Sequence, residues 1–217
     1  MSLDTLLEKN RLWSDSVKER EPDFFVELAK QQTPQYLWIG CSDSRVAANT
    51  IVGLQPGEIF VHRNIANIVA HSDMNCLSVI QFAVEVLKVT DIIVTGHYGC
   101  GGVLAAMEDK RHGLIDNWLR YIQDTMSLYE DVLAKLDDDA RFDKLCELNV
   151  IEQVINVAET TTLQDAWASG QDVTIHGVVY GLSDGVLRDL AISVSKPVNR
   201  KELRGQFLAK SRTAVEF

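Results

Sequence analysis

Apolar positions along the chain fall into two alternating kinds of run. The short runs are continuous: Tyr36-Leu37-Trp38-Ile39-Gly40, Glu58-Ile59-Phe60-Val61 and Asp91-Ile92-Ile93-Val94-Thr95-Gly96. A strand apolar on both faces is typical of a parallel sheet covered by helices. Val173 to Leu182 reads as a further strand, and Leu187 to Val194 as a terminal edge strand. Between these runs the apolar residues recur at helical spacing. Leu77, Ile80, Val84 and Leu87 fall on one face of a helix predicted over Asn75 to Lys88. Further helices are predicted over residues 101–108, 114–134 and 146–168. The alternation predicts an α/β fold, a mostly parallel central β-sheet flanked by helices.

Residues 1–33 precede the first strand and carry two helical patterns. Leu3, Leu6, Leu7, Leu12 and Trp13 suit one helix, and Phe24, Phe25, Leu28 and Ala29 another just after Pro22. The segment reads as an N-terminal helical arm whose apolar faces need a partner surface, a sign of oligomerisation. The whole of 1–217 is expected to be a single domain with this arm attached. Asp137-Asp138-Asp139 reads as a solvated loop or a helix start. The polar residues 196–217 are expected to fray or to pack on a neighbour.

Composition narrows the function classes. The chain is 46% hydrophobic and 24% charged, with a formal net charge of -10. That is enough apolar material for a core without disulfides. The acidic balance and the lack of a basic cluster exclude nucleic acid as a partner. The N-terminal residues are charged throughout, unlike a secretory signal. No apolar run approaches the ~18 residues needed to span a bilayer. A cytoplasmic protein without membrane contact is expected. Its cysteines are then better sought at a metal than in disulfides.

Two short motifs follow two of the strands: Cys41-Ser42-Asp43-Ser44-Arg45 and His97-Tyr98-Gly99-Cys100-Gly101-Gly102. In open α/β sheets functional groups collect beyond the carboxyl ends of strands. The motifs supply two thiols, an imidazole and a carboxylate, a good donor set for zinc. The spacing H-x-x-C lets two ligands reach one ion from a tight turn, with glycines relieving crowding. Cys41, His97 and Cys100 are candidate permanent ligands. Asp43 is a candidate fourth ligand, or one that yields its position to water. Arg45 is placed to hold the Asp43 carboxylate. Cys76 and Cys146 lie in apolar helical patterns and read as core residues.

The sequences C-S-D-S-R, G-E-I-F-V-H-R-N-I-A-N and G-H-Y-G-C-G-G resemble those of the β-carbonic anhydrases, and the resemblance spans nearly the whole chain. It implies one zinc ion per chain and reversible hydration of carbon dioxide to bicarbonate and a proton through zinc-bound hydroxide. It implies a homodimer or homotetramer in which the N-terminal helices clasp the partner. By resemblance, Cys41, His97 and Cys100 bind zinc, Asp43 and Arg45 form an orienting dyad, and the Gly101 amide helps place bicarbonate. Gln32, Phe60 and Phe82 would line the substrate pocket across the dimer contact, with Phe82 standing where relatives often have tyrosine. A subgroup has a noncatalytic, allosteric bicarbonate site, and its residues match Trp38, Arg63 and Tyr180. There, bicarbonate or low pH moves the carboxylate matching Asp43 from arginine to zinc. Relatives in that subgroup often have V-P-A where this chain has Val46-Ala47-Ala48, which predicts a looser loop beside Asp43. Two other readings remain: hydrolysis of carbon disulfide or carbonyl sulfide on the same fold, and a noncatalytic bicarbonate-sensing zinc protein. His62 and His71 are proton-shuttle candidates by residue type alone, and His62 is alternatively a support for Arg63.

Overall fold

The computed structural model describes residues 2–30, 33–43, 45 and 47–213. Its frame is a five-stranded sheet of order β2-β1-β3-β4-β5. Strands β1 (Tyr36–Cys41), β2 (Ile59–Asn64), β3 (Asp91–His97) and β4 (Thr174–Tyr180) are parallel. The edge strand β5 (Leu187–Val194) runs antiparallel to β4, with a register shift at Gly177/Val178. Helices α1 (Leu3–Arg20) and α2 (Phe24–Lys30) precede the sheet. α3 (Ala48–Val52) links β1 to β2, and α4 (Met74–Gln81) lies between β2 and β3. Between β3 and β4 come α5 (Gly101–Met107), α6 (Asp116–Leu128), α7 (Glu130–Leu133), α8 (Asp138–Ala158) and α9 (Thr161–Ala168). α10 (Arg200–Thr213) follows β5. Among the described residues no helix is long and apolar enough to cross a membrane.

The apolar strand runs bury as expected, but the two sheet faces differ. Leu37, Ile39, Ile92, Val94, Ile175 and Val179 share one face and are completely buried. Helix α8 lies against β3 and β4. It comes close because two glycines leave room. A Cβ on Gly96 would stand 2.5 Å from Val150 Cγ2, and one on Gly177 would stand 3.2 Å from Val150 Cγ1. On the other face Trp38 and Thr95 are buried, while Ile93 and Val178 are only half-buried and Val61 is exposed.

Three elements depart from the sequence pattern. The helix expected over Asn75 to Lys88 is α-helical only to Gln81, and Phe82–Val86 forms a π-helical turn that ends at Lys88, with φ 58°. The wider turn keeps Ala83 and Val84 inward and leaves Phe82 and Val86 exposed. Helix α8 begins at residue 138 rather than 146. Asp137 caps it by accepting the Ala140 N–H at 2.9 Å, and Asp138 and Asp139 sit in the first turn, where the helix dipole favours negative charge. Within the polar C-terminal segment, α10 packs on α8 of its own chain. Leu203 and Phe207 are buried, and Arg204 donates to both carboxylate oxygens of Glu152 at 2.8 and 2.5 Å. Tyr129 donates to the same carboxylate at 2.7 Å, so the buried charge is fully hydrogen-bonded.

Candidate metal centre

β1 ends at Cys41 and β3 at His97. The two strands are parallel neighbours, so their carboxyl ends, and the turns that follow, lie side by side. Gly99 takes φ 69°, a left-handed conformation that closes the turn and returns Cys100 towards Cys41. The two sulfurs are 3.8 Å apart. Two thiolates on a tetrahedral zinc, each at about 2.3 Å, stand about 3.8 Å apart. The ligand atoms of Cys41, His97 and Cys100 all lie within 4.8 Å of one another, and all three residues are buried.

The imidazole is oriented for a metal. His97 Nδ1 lies 3.0 Å from the Tyr98 carbonyl oxygen, which requires the proton on Nδ1. Its Nε2 is buried with no hydrogen-bond partner. A buried ring nitrogen left as a bare acceptor, beside two thiols, is the donor set zinc takes. The Cys41 thiol is held below its ordinary pKa by a hydrogen bond from Cys100, with burial opposing and with help from the nearby His97 ring. The backbone N–H groups of Asp43 and Ala66 donate to Cys41 Sγ at 3.4 and 3.3 Å.

The other candidates fall in distinct places. The Asp43 carboxylate is not part of the cluster. It faces Arg45, at 3.4 Å from Nε and 3.5 Å from Nη2, in a half-exposed pair. Arg45 itself has φ 52°. Gly101 opens α5, with nothing within 4 Å of where a Cβ would stand. Phe60 and Phe82 meet with ring centroids 5.9 Å apart. Gln32, Ser44 and Val46 lie outside the described residues.

Trp38, Arg63 and Tyr180 point to one face of the sheet. Register pairs Arg63 with Gly40, Gly40 with Thr95, and Thr95 with Val178, so the three side chains flank one row. The Trp38 indole lies over Gly40, where a Cβ would stand 2.6 Å from Nε1. Arg63 Nε donates to the Cys41 carbonyl at 3.0 Å, tying this row to the metal loop. Thr95 Oγ, on the same face, is buried without a hydrogen-bond partner. His62 does not support Arg63. It lies on the opposite face, buried, with Nε2 at 3.2 Å from Asn64 Nδ2. His71 lines a separate cleft of about 480 Å³ with Met74, Gln81, Glu85 and Glu159.

Sequence reasoning did not find the backbone groups: the Tyr98 carbonyl and the Asp43 and Ala66 amides. Ala66 has φ 61° and Asn67 φ 49°. No residue type announces a left-handed alanine, whose conformation costs about 1–2 kcal/mol and persists only where the surroundings impose it.

A family model described as carbonic anhydrase matches residues 36–187. A carbonic anhydrase of Emericella nidulans is 49% identical over 190 residues, covering 87% of this chain and 83% of that protein. Among solved structures, one of two tetrameric β-carbonic anhydrases from Sordaria macrospora has a TM-score of 0.82 at 37% identity, covering 88% of this chain and 98% of its own. A Coccomyxa β-carbonic anhydrase in complex with acetazolamide has a TM-score of 0.87 at 34% identity, covering 97% and 98%. With its parallel sheet and its buried cysteine–histidine–cysteine cluster at the strand ends, the chain belongs to the β-carbonic anhydrase family.

Proposed function

We propose that the chain hydrates carbon dioxide reversibly to bicarbonate and a proton at one zinc ion held by Cys41, His97 and Cys100. The observation that carries this reading is the buried cluster of two thiols and a partnerless imidazole nitrogen at tetrahedral spacing. Zinc bound there supplies one thing, a water acidic enough to act as a nucleophile near neutral pH.

The protein groups then do the rest. The Tyr98 carbonyl holds the proton on His97 Nδ1 and keeps Nε2 a donor to the metal. Asp43, two residues from Cys41, accepts a hydrogen bond from the nucleophile and turns its lone pair towards carbon. Arg45 keeps that carboxylate turned away from the ligand set. The Gly101 N–H steadies the bicarbonate product. The Asp43–Arg45 contact is long and half-exposed, and such a pair is worth about 0–1 kcal/mol. So weak a tether supports a regulatory exchange in which Asp43 would leave Arg45 and join the residues holding a bound zinc.

Substrate walls come from a second copy in this reading. Phe60 stands four residues before Asn64, the register partner of Cys41. At about 3.3 Å per residue that is about 13 Å along the strand, too far to wall the site of its own chain. Phe60, the exposed Phe82 and Gln32 would instead line the partner's pocket. Leu3, Leu6, Leu7, Leu12 and Trp13 of α1 are exposed, and the only buried residue of that helix is Val17. This supports 1–33 as an arm on the partner within a homodimer or homotetramer, and the Sordaria relatives are described as tetrameric. Trp38, Arg63 and Tyr180 would hold a regulatory bicarbonate, the guanidinium supplying its positive charge.

Stopped-flow carbon dioxide hydration against pH, with zinc measured on the same sample, tests the proposal. Activity should require zinc, and Cys41→Ser or Cys100→Ser should lose both. A fully zinc-loaded protein inactive up to pH about 9 would sink it, the range reaching there because thiolate ligands keep the bound water less acidic. Activity confined to alkaline pH would favour the Asp43 exchange.

A further inference from the structure

Helix α8 carries amides where its neighbours are aliphatic. Asn149 and Gln153 are buried, and Asn156 is half-buried on the same stripe, at spacings of four and three residues. Each amide is engaged. Asn156 Nδ2 donates to Gln153 Oε1 at 3.1 Å and to the Val69 carbonyl at 3.0 Å. Gln153 Oε1 accepts the Val69 N–H at 2.8 Å, and Gln153 Nε2 donates to Asn149 Oδ1 at 3.0 Å. Asn149 Nδ2 donates to the Ala66 carbonyl at 2.9 Å. The ladder stops at the residue whose own N–H donates to Cys41 Sγ at 3.3 Å.

We propose that Asn149, backed by Gln153, is a positioning residue of the metal centre: it pins the carbonyl of left-handed Ala66 so that the N–H of the same residue stays on the Cys41 sulfur. The inference rests on the reading of Cys41 as a metal ligand. Its logic is conformational. Ala66 lies at φ 61°, ψ 29°, a region an alanine leaves unless held. The hydrogen bond from Asn149 is a hold on that residue from a rigid element. Once it is released, the backbone angles of Ala66 relax and its N–H swings off the sulfur. An N–H on a thiolate withdraws charge from it and fixes which lone pair faces the metal. Such outer contacts are worth about 10–100-fold in metal affinity.

The test uses the full-length protein with Asn149→Leu, which keeps the branched shape, with bulkier methyl groups, and removes the donor. Two quantities are read: zinc affinity by chelator competition, and the sulfur-to-cobalt charge-transfer band after cobalt substitution. Affinity should fall about tenfold. The band should move to lower energy, because a sulfur without its N–H donor is more electron-rich. Ile155→Ala, on the same helix, serves as the control: it should lower the melting temperature but leave affinity and band unchanged. Parental affinity and an unshifted band in Asn149→Leu would overturn the proposal. If that variant does not fold, amide exchange in the unaltered zinc protein decides: a protected Ala66 N–H supports it, and exchange at the rate of an open loop overturns it. Cys41→Ser separates the two readings, since zinc binding unaffected by that change defeats the metal site itself, whatever Asn149 does.

Discussion

Replacing Gly96 by alanine should injure both the core and the metal site. The residue sits on β3 directly before His97, facing α8. An alanine Cβ would lie 2.5 Å from Val150 Cγ2, with Asn67 Oδ1 and the Cys146 carbonyl each at 3.6 Å. Carbon atoms prefer about 3.5–4.0 Å, so roughly 1 Å must be found. Val150 has little room to retreat. It is completely buried. Overpacking of this kind costs about 1–3 kcal/mol. For a chain of this length about 2 kcal/mol corresponds to roughly 4–8 °C in Tm. Urea unfolding at fixed protein concentration measures it, since any assembly would make stability concentration-dependent. Val150→Ala alone should cost about 2 kcal/mol for the two methyl groups and their cavity. In the double variant each change relieves the other, so the total should stay near 2 kcal/mol rather than 4, a coupling of about 2 kcal/mol. Zinc affinity should drop in Gly96→Ala and recover in the double variant. Additive costs, or a Gly96→Ala protein within 0.5 kcal/mol of the parent, would refute the packing argument.

Burial lowers the pKa of His62 from 6.5, with Asp73 opposing. The folded state thus binds this proton less readily than the unfolded chain. The group's contribution is constant above about pH 6.5 and is lost as pH falls below it. His62→Gln should narrow the difference in urea midpoint between pH 7.5 and pH 5.5, and an unchanged difference would contradict the assignment. Burial pushes the Cys76 and Cys146 thiols up to about 12. Iodoacetamide at pH 8 should leave both unmodified in the native protein, as read by peptide mass mapping. Ala47 caps α3 at φ -70°, ψ 142°, a conformation proline adopts freely. Ala47→Pro should stabilise by about 0.4–1 kcal/mol through the unfolded chain. If the loop governs Asp43, the pH–activity profile should also move, and an unmoved profile would free Asp43 from that control.

Much of the sheet was legible in one dimension because burial on both faces leaves a continuous apolar run. Tyr36 to Gly40 and Asp91 to Gly96 announce β1 and β3 without help from the rest of the chain. The Cys41–His97–Cys100 cluster was legible for a related reason. Cys41 ends β1, and the turn after β3 carries His97 and Cys100, where chemistry leaves a dense local signature. Helix α10 was not legible. Its anchoring residues, Leu203 and Phe207, are two apolar positions in a polar segment, and its arginines look solvated until Glu152 and Glu159 are brought beneath them. The π-turn at Phe82–Val86 was hidden as well, since Leu77, Ile80, Val84 and Leu87 keep ordinary α-helical spacing across it.

What the sequence determined by itself is the set of strands and the cysteine and histidine residues of the cluster, both written in side-chain type and local spacing. What only the tertiary structure decided is how those residues are held. Parallel pairing of β1 and β3 brings Cys41 and Cys100 to 3.8 Å. The Tyr98 carbonyl selects the His97 tautomer, and a left-handed Ala66 gives its N–H to a sulfur. These are backbone groups, identical in every residue, and only the path of the folded chain makes them specific.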